Sequence, residues 1–185
     1  MKNIFITTIL VLVFSLSALE FFREDLDFVL SEAQFEVSGT YFFRNETDRE
    51  IKRILFYPFP ADSSYGEITT FSAICVIDSA DVSKGFSDKG ANFIVNLKPG
   101  ESKGYFLSYK QKIYGNKAEY ILTTTKAWGK PFEEVNYTLA IPKEILLDSL
   151  SYFPDSLTTF DDSYKLFYHK TIFMPDRNFQ IFFKQ

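Results

Sequence analysis

The sequence predicts an all-β fold, an antiparallel β-sandwich of about nine or ten short strands in residues 19–185. Many segments alternate between apolar and polar residues with a period of two, which is typical of strands with one buried face. Polar, turn-rich stretches separate these segments at regular spacing. The 185 residues include 22 phenylalanines and 11 tyrosines, and such bulky rings favour strands and fill a core.

The clearest element is a predicted hairpin from Val37 to Pro60. Residues 44–49 are polar and reverse the chain, and a second strand then runs from Ile51 to Tyr57. Pro58 and Pro60 end it, because proline cannot donate to a strand ladder. The side chains predicted to share the buried face of the first arm are Phe35, Val37, Gly39, Tyr41 and Phe43. The core contacts expected from both arms are those of Tyr41, Phe43, Leu55 and Phe56.

The remaining elements follow the same reasoning along the chain. Residues 19–33 have apolar residues at mixed spacing and suit a short strand or one helical turn. Further strands are predicted at residues 69–78, 93–97, 104–113, 118–125 and 135–141, with a closing hairpin of 164–173 and 179–183. The other segments are predicted as a flexible loop (79–90), a break around Trp128 (126–131), a short helix (143–150) and a loop (152–162).

Residues 1–18 have the pattern of a secretory signal peptide. Lys2 supplies the charged start, Ile4 to Leu16 the apolar stretch, and Ser17 and Ala18 the small-residue exit. The apolar stretch is shorter than the roughly 20 residues that a membrane span needs. We therefore expect a secreted, periplasmic or cell-envelope protein, with cleavage after Ser17 or Ala18. The alternative is an uncleaved anchor, which would be the chain's only membrane contact.

Charge and cysteine content narrow the classes of partner and of fold. A net charge of -4 and a pI near 5.1, without a lysine and arginine cluster, argue against nucleic acid as a partner. Cys75 is the only cysteine, so the chain has no internal disulfide and depends on its core. Cys75 is predicted to lie in that core, on one strand face with Phe71, Ala73 and Ile77.

Two resemblances rest on particular motifs. Gly39–Asn45 (GTYFFRN), a polar reversal and Phe56–Pro60 (FYPFP) resemble the opening of the inter-alpha-trypsin-inhibitor-type domain. The same stretch, with Tyr120–Thr125, Trp128–Pro131 and Phe173–Asp176, is similar to uncharacterised secreted bacterial β-sandwich proteins. The second resemblance covers most of residues 19–185. It implies an immunoglobulin-like sandwich and export, and it brings no activity.

The residues offer little for catalysis or for metal binding. His169 is the only histidine, and no nucleophile-elbow motif accompanies it. Zinc binding is disfavoured as well, because the sequence has only one histidine and one cysteine to serve as ligands. Asp78, Asp81 and Asp88 invite a calcium interpretation, but their spacing matches no calcium loop and Lys84 and Lys89 would oppose a cation. Asp161 and Asp162 read as a solvated turn. We therefore expect no enzyme and no cofactor.

Trp128 is the most informative candidate for a binding residue. An exposed ring there could stack on a sugar or anchor a partner, together with Lys130 and Tyr120. The alternative is that Trp128 caps one end of the core, with Gly129 and Pro131 shaping the bend. The first hypothesis is an exported, non-enzymatic interaction or accessory module that binds a protein or another envelope component. The second is a carbohydrate- or small-ligand-binding domain, and the third a hydrolase built around His169.

Overall fold

A computed structural model describes residues 18–62 and 64–184 of the chain. The predicted signal peptide lies outside the described residues, except for Ala18. The described residues form thirteen strands: β1 (Leu19–Leu30), β2 (Gln34–Asn45), β3 (Ile51–Pro58), β4 (Tyr65–Cys75), β5 (Ser83–Ser87), β6 (Gly90–Leu97), β7 (Ser102–Ile113), β8 (Lys117–Tyr120), β9 (Phe132–Pro142), β10 (Leu146–Leu150), β11 (Ser156–Thr159), β12 (Ser163–Phe173) and β13 (Phe179–Lys184). One 3-10 helix, Thr123–Trp128, lies between β8 and β9. None of the helices in this part of the chain is long and apolar enough to span a membrane.

The strands form a sandwich, which confirms the predicted fold class. One layer is a seven-stranded sheet in the order β11-β12-β9-β1-β2-β7-β4. The other layer consists of two three-stranded sheets, β10-β13-β8 and β3-β6-β5. Within the described strands the pairs are antiparallel, apart from β1 and β9, which run parallel. Buried side chains of all three sheets join one hydrophobic core.

The predicted buried face of β2 is confirmed, since its side chains alternate between buried and half-buried along the strand. Tyr41 and Phe43 are buried as expected. The assignment of Phe56 is wrong: its ring is 59% exposed, Leu55 is half-buried and Tyr57 takes the core position. Side chains alternate along β3, so burying Tyr57 turns Phe56 outward.

The predicted hairpin of β2 and β3 is also wrong, because its two arms belong to different sheets. β2 pairs with β1 and β7, whereas β3 pairs with β6. The buried side chain of Asn45 holds the crossing by donating to the carbonyls of Arg49, Leu97 and Lys98. The predicted closing hairpin divides in the same way, with β12 in the large sheet and β13 in a small one.

The structure has more strands than predicted, because short edge strands replace predicted loops and a predicted helix. β5 lies in the predicted loop 79–90, β10 in the predicted helix 143–150, and β11 in the predicted loop 152–162. Their side chains are almost all exposed or half-buried, so they carry no alternating signal. Residues 19–33, predicted as a short strand or one helical turn, contain the twelve-residue strand β1.

The core position of Cys75 is confirmed. Ile77 does not share its buried face and is largely exposed. The reason is that β4 ends at Cys75, so the alternation that the sequence predicts through Asp78 stops two residues before Ile77.

Candidate functional site

A cleft opens where the two small sheets meet over the large one. We call it the aromatic cleft. One wall is the end strand β3, through Leu55–Pro58, and the other is the end of β8 with the 3-10 helix that follows. The floor side chains come from β1 and β2 of the large sheet: Phe21, Glu24, Tyr41 and Phe43. The cavity volume is about 60 Å³, which suits a headgroup or the tip of a side chain rather than a whole drug-sized ligand.

The 3-10 helix fixes Trp128 at one wall of the cleft. Asn178 Oδ1 accepts hydrogen bonds from the backbone of Leu122 and Thr123 and from the Thr123 hydroxyl, which anchors the start of the helix. Gly129 ends it with a left-handed φ of 75°, a conformation that costs glycine little. Gly129 therefore ends the helix directly after Trp128, and Gly129 and Lys130 do not line the cleft.

The indole of Trp128 is half-buried and packs on the core at the floor of the cleft. Its ring centroid lies 5.8 Å from that of Phe21, at an interplanar angle of 66°. It lies 5.8 Å from the Phe43 ring as well, at 53°. Trp128 thus covers the end of the core, which was the alternative considered from the sequence, and its half-buried ring also borders the cavity. Its role in binding stays a prediction.

Glu24 is a carboxylate on the floor of the cleft and is only 1% exposed. Tyr137 donates a short hydrogen bond to its Oε1 atom, and Tyr120 donates to its Oε2 atom at 3.0 Å. Burial raises the pKa of Glu24 to about 7, although these two hydrogen bonds act in the opposite direction. Among the described residues, no lysine, arginine or histidine lines the cleft.

Two further tyrosines add polar groups to this apolar surface. The Tyr41 and Tyr57 hydroxyls lie 2.7 Å apart and share a hydrogen bond. Burial raises the pKa of both phenols well above the ordinary value, so they stay neutral at physiological pH. The cleft therefore offers ring surfaces, neutral hydroxyls and one carboxylate.

The structure brings two of the three predicted binding residues together. Trp128 and Tyr120 both line the aromatic cleft. Tyr120 is buried rather than exposed, so its ring is a wall and its hydroxyl serves Glu24. Lys130 does not line the cleft, and its ammonium lies 3.2 Å from a Glu20 oxygen and 3.4 Å from a Glu46 oxygen.

His169 lies away from the cleft, on the outer face of the large sheet. Its Nδ1 atom lies 2.8 Å from Asn136 Oδ1, and Asn136 Nδ2 donates to Asp25 at 2.8 Å. The register of β12 and β9 places His169 opposite Asn136. The contacts found for this ring in the described residues are with Asn136 and Glu134, and no serine or threonine hydroxyl is among them.

Asp78 and Asp81, for which a calcium interpretation was considered and disfavoured, cap turns. Asp78 Oδ1 accepts from the Ala80 amide, and Asp81 Oδ1 accepts from the Ser83 amide and hydroxyl. Asp162 likewise accepts from the Ser163 hydroxyl. The described residues contain no group of three or more His, Cys, Asp or Glu side chains that could hold a metal ion.

Glu24 is the site residue that the sequence reasoning missed. Its signal was nevertheless present in residues 19–33. Leu26, Phe28 and Leu30 alternate, and extending that period of two backwards places Glu24 on the same buried face. A carboxylate on the buried face of a central strand is uncommon and marks a position that needs a physical explanation.

Comparisons with known proteins identify the fold but no family. A scan against protein-family models gives no match, and a search of curated proteins gives none. Among solved structures, the chain is similar to a nutrient binding protein of Legionella pneumophila, a role that its description assigns provisionally. The TM-score is 0.67 at 11% identity, over 91% of this chain and 68% of that one.

The chain is also similar to M1 zinc metallopeptidases. For the Deinococcus radiodurans enzyme with a bound Tyr-Ser-Ala substrate, the TM-score is 0.58 at 10% identity. The match covers 90% of this chain and 43% of the peptidase. A two-domain M1 zinc metallopeptidase bound to L-arginine gives a TM-score of 0.55 at 10% identity, over 89% and 42% of the two chains. The chain thus spans about two fifths of these peptidases, and at such identities the likeness shows the fold alone.

Proposed function

We propose that the chain is an exported, non-enzymatic binding module that serves as an accessory of the cell envelope, and that the aromatic cleft is its binding site. The observation that carries the proposal is the cleft itself, where two small sheets leave a cavity walled by Trp128, Tyr120 and Tyr57. Concave, mostly apolar sites with a few placed polar groups are the usual form of a ligand site. The nutrient binding role described for the Legionella protein agrees with this class of function.

A binding role suits the chemistry of the cleft better than catalysis does. Acyl transfer needs a nucleophile paired with a base. Both oxygens of Glu24 instead accept hydrogen bonds from tyrosines. His169, the residue that a hydrolase would use, lies on the outer face of the sheet with Asn136 as its partner. The resemblance to secreted bacterial β-sandwich proteins supports export without an activity.

The cleft suits a small chemical group that enters the cavity better than a sugar that stacks on an exposed aromatic ring. Stacking needs an exposed ring face, whereas Tyr120 is buried and Trp128 is half-buried against Phe21 and Phe43. The exposed ring at the rim is that of Phe56. Carbohydrate remains the second candidate only through this rim.

Capture from an envelope extract tests the proposed function. Phe56→Ala trims the rim of the cleft at an exposed position, so it should reduce capture of the bound component at an unchanged unfolding midpoint. Phe153→Ala is the matched control, because this ring is exposed and does not line the cleft. Equal capture by wild type, Phe56→Ala and Trp128→Ala would contradict the proposal.

N-terminal sequencing tests export. Protein recovered from the envelope or the medium should start near Ala18 or Leu19, directly after the small-residue exit. A start at Met1 in a soluble cytosolic fraction would contradict this part of the proposal.

A further inference from the structure

The aromatic cleft combines many rings with one buried carboxylate. Eight of its fourteen lining side chains are aromatic, and three of these rings, Tyr57, Tyr120 and Trp128, stand in its walls. Glu24 is the carboxylate, and among the described residues no cationic side chain lines the cavity. The site therefore has a negative group without a counter-charge.

Such a carboxylate is unusual, because an ionised group buried without a positive partner is costly. Tyr137 and Tyr120 each donate one hydrogen bond to Glu24, which leaves free acceptor capacity on both oxygens. Burial raises the pKa of Glu24 to about 7, and the charge of Asp25 acts in the same direction. A cation that entered the cavity would supply a positive partner and would favour the ionised form.

The walls have the complementary property. Aromatic ring faces attract cations through their quadrupole, most strongly when the site is shielded from water. Sites of this kind, built from several rings, recognise quaternary ammonium groups. The cavity of about 60 Å³ would admit only a small part of a ligand, such as its headgroup, and the rest of the molecule would leave past the exposed rim at Phe56 and Thr124.

We propose that the aromatic cleft binds the headgroup of an organic ammonium cation, with Glu24 as the counter-charge and the rings of Tyr57, Tyr120 and Trp128 as the walls. This inference rests on the proposed binding function and names the class of ligand.

Ligand binding should depend on pH through Glu24. The groups that face it are tyrosines from four strands. The charge of its neighbour Asp25, on the opposite face of β1, also acts on it. The four tyrosines are Tyr41, Tyr57, Tyr120 and Tyr137. Burial raises the pKa of each phenol, so these groups stay neutral while Glu24 changes charge around pH 7.

The test uses choline and its neutral isostere 3,3-dimethylbutan-1-ol, with ethanolammonium as a primary ammonium. Trp128 is the only tryptophan, so intrinsic fluorescence reports on the cleft directly. At pH 8 choline or ethanolammonium should bind at least about tenfold more tightly than the isostere. Lowering the pH to 6 should weaken cation binding by up to about tenfold as Glu24 takes up a proton.

Glu24→Gln should abolish both the preference for the cation and its pH dependence. Asp27→Asn is the matched control, since it removes a carboxylate from the exposed face of the same strand and should retain both. Unfolding midpoints of the two variants show whether each is folded. If Glu24→Gln does not fold, the pH dependence of binding by the wild type still tests the proposal.

Three results would overturn the proposal: equal binding of choline and the isostere, cation binding that does not change between pH 6 and pH 8, or no binding of either cation. The first would leave the cleft as a binding site for neutral groups. A failure of the proposed binding function would appear in a different experiment: Phe56→Ala and Trp128→Ala would then capture as much of the envelope component as wild type does.

Discussion

Glu24 and Glu119 are both buried glutamates, but their surroundings differ. Glu24 is 1% exposed and Glu119 is 7% exposed. Glu119 joins β8 to β4 and to residues 178–180. Its carboxylate binds Lys117 Nζ of the same strand at 2.8 Å and accepts from the Tyr65 hydroxyl of β4 at 2.5 Å. Asn178 and Gln180 each add a donor at 2.7 Å. The partners of Glu24 are two tyrosine hydroxyls, and no cationic side chain of residues 18–62 and 64–184 pairs with it.

The pKa values of the two carboxyls move in opposite directions. Burial acts to raise the pKa of Glu119, but the ammonium of Lys117 and the other donors outweigh it, and the pKa is lowered. Burial prevails at Glu24 and raises its pKa to about 7. The comparison teaches that depth alone does not decide the charge of a buried carboxylate, because its partners can outweigh the effect of burial. Within the described part of the chain, Glu119 has a cationic partner that stabilises the fold and Glu24 has none.

The contrast between Glu24 and Glu119 depends on the floor of the cleft, where Glu24 lies, being part of the hydrophobic core. Phe43→Ala should lower the free energy of unfolding by about 3–5 kcal/mol, because a buried ring is lost and a cavity remains. Phe42→Ala is the control, since its side chain lies half-buried on the opposite face of β2 and should cost much less. Urea unfolding measures both. Equal effects of the two substitutions would mean that the buried face is wrongly assigned.

Glu24→Gln should remove a pH-dependent penalty. The folded pKa lies above the ordinary value of 4.5, so the unfolded state ionises first as the pH rises, and wild-type stability falls between about pH 4.5 and 7. This penalty amounts to about 3 kcal/mol. The variant should therefore gain about that much relative to wild type between pH 4 and pH 8. A constant difference in denaturant unfolding across this range would contradict the assignment.

Glu119→Gln should show the opposite dependence. At neutral pH it should cost about 1.5–3 kcal/mol, because Lys117 loses its anionic partner and the hydrogen bonds lose their charge. The folded pKa of Glu119 lies below the ordinary value of 4.5, so this stabilisation is present above that pH and is lost as the pH falls below it. A variant whose stability matches wild type at pH 7 would contradict the stabilising role of the Glu119 carboxylate.

His169→Ala should have the smallest effect. The side chain is 56% exposed and lies on the outer face of the large sheet, whereas Glu24 lies on its buried face. We expect a change within about 0.5 kcal/mol in the free energy of unfolding, and unchanged binding. Loss of function at unchanged stability would support the hydrolase hypothesis instead.

The sequence predicted the strands whose alternation is complete, and the structure shows why the others escaped. Tyr41, Phe43 and Tyr137 lie in long strands with one buried face, and their burial was predictable from the period of two. Strand pairing was not, because the crossing after Asn45 depends on its contacts with residues 97 and 98, about fifty positions away. Alternation within a strand says nothing about which sheet receives it.

The candidate site was predictable in part. Trp128 and Tyr120 were singled out because of residue type, and the cleft contains both. Lys130 was not separable from them by sequence, since its pairing with Glu20 depends on the placement of β1 beside residues 130–132. Glu24 could have been found from the alternation of β1, but its lack of a counter-charge emerges only from the packing of four other strands around it.

Carboxyl-carbon NMR of Glu24, titrated with and without saturating choline, tests the central claim most directly. The account predicts a pKa near 7 in the free protein, which choline lowers, because a bound cation favours the ionised carboxylate. Glu119 should titrate below its ordinary value in both samples. A Glu24 signal that titrates like an ordinary exposed glutamate, or one that choline leaves unchanged, would contradict the account.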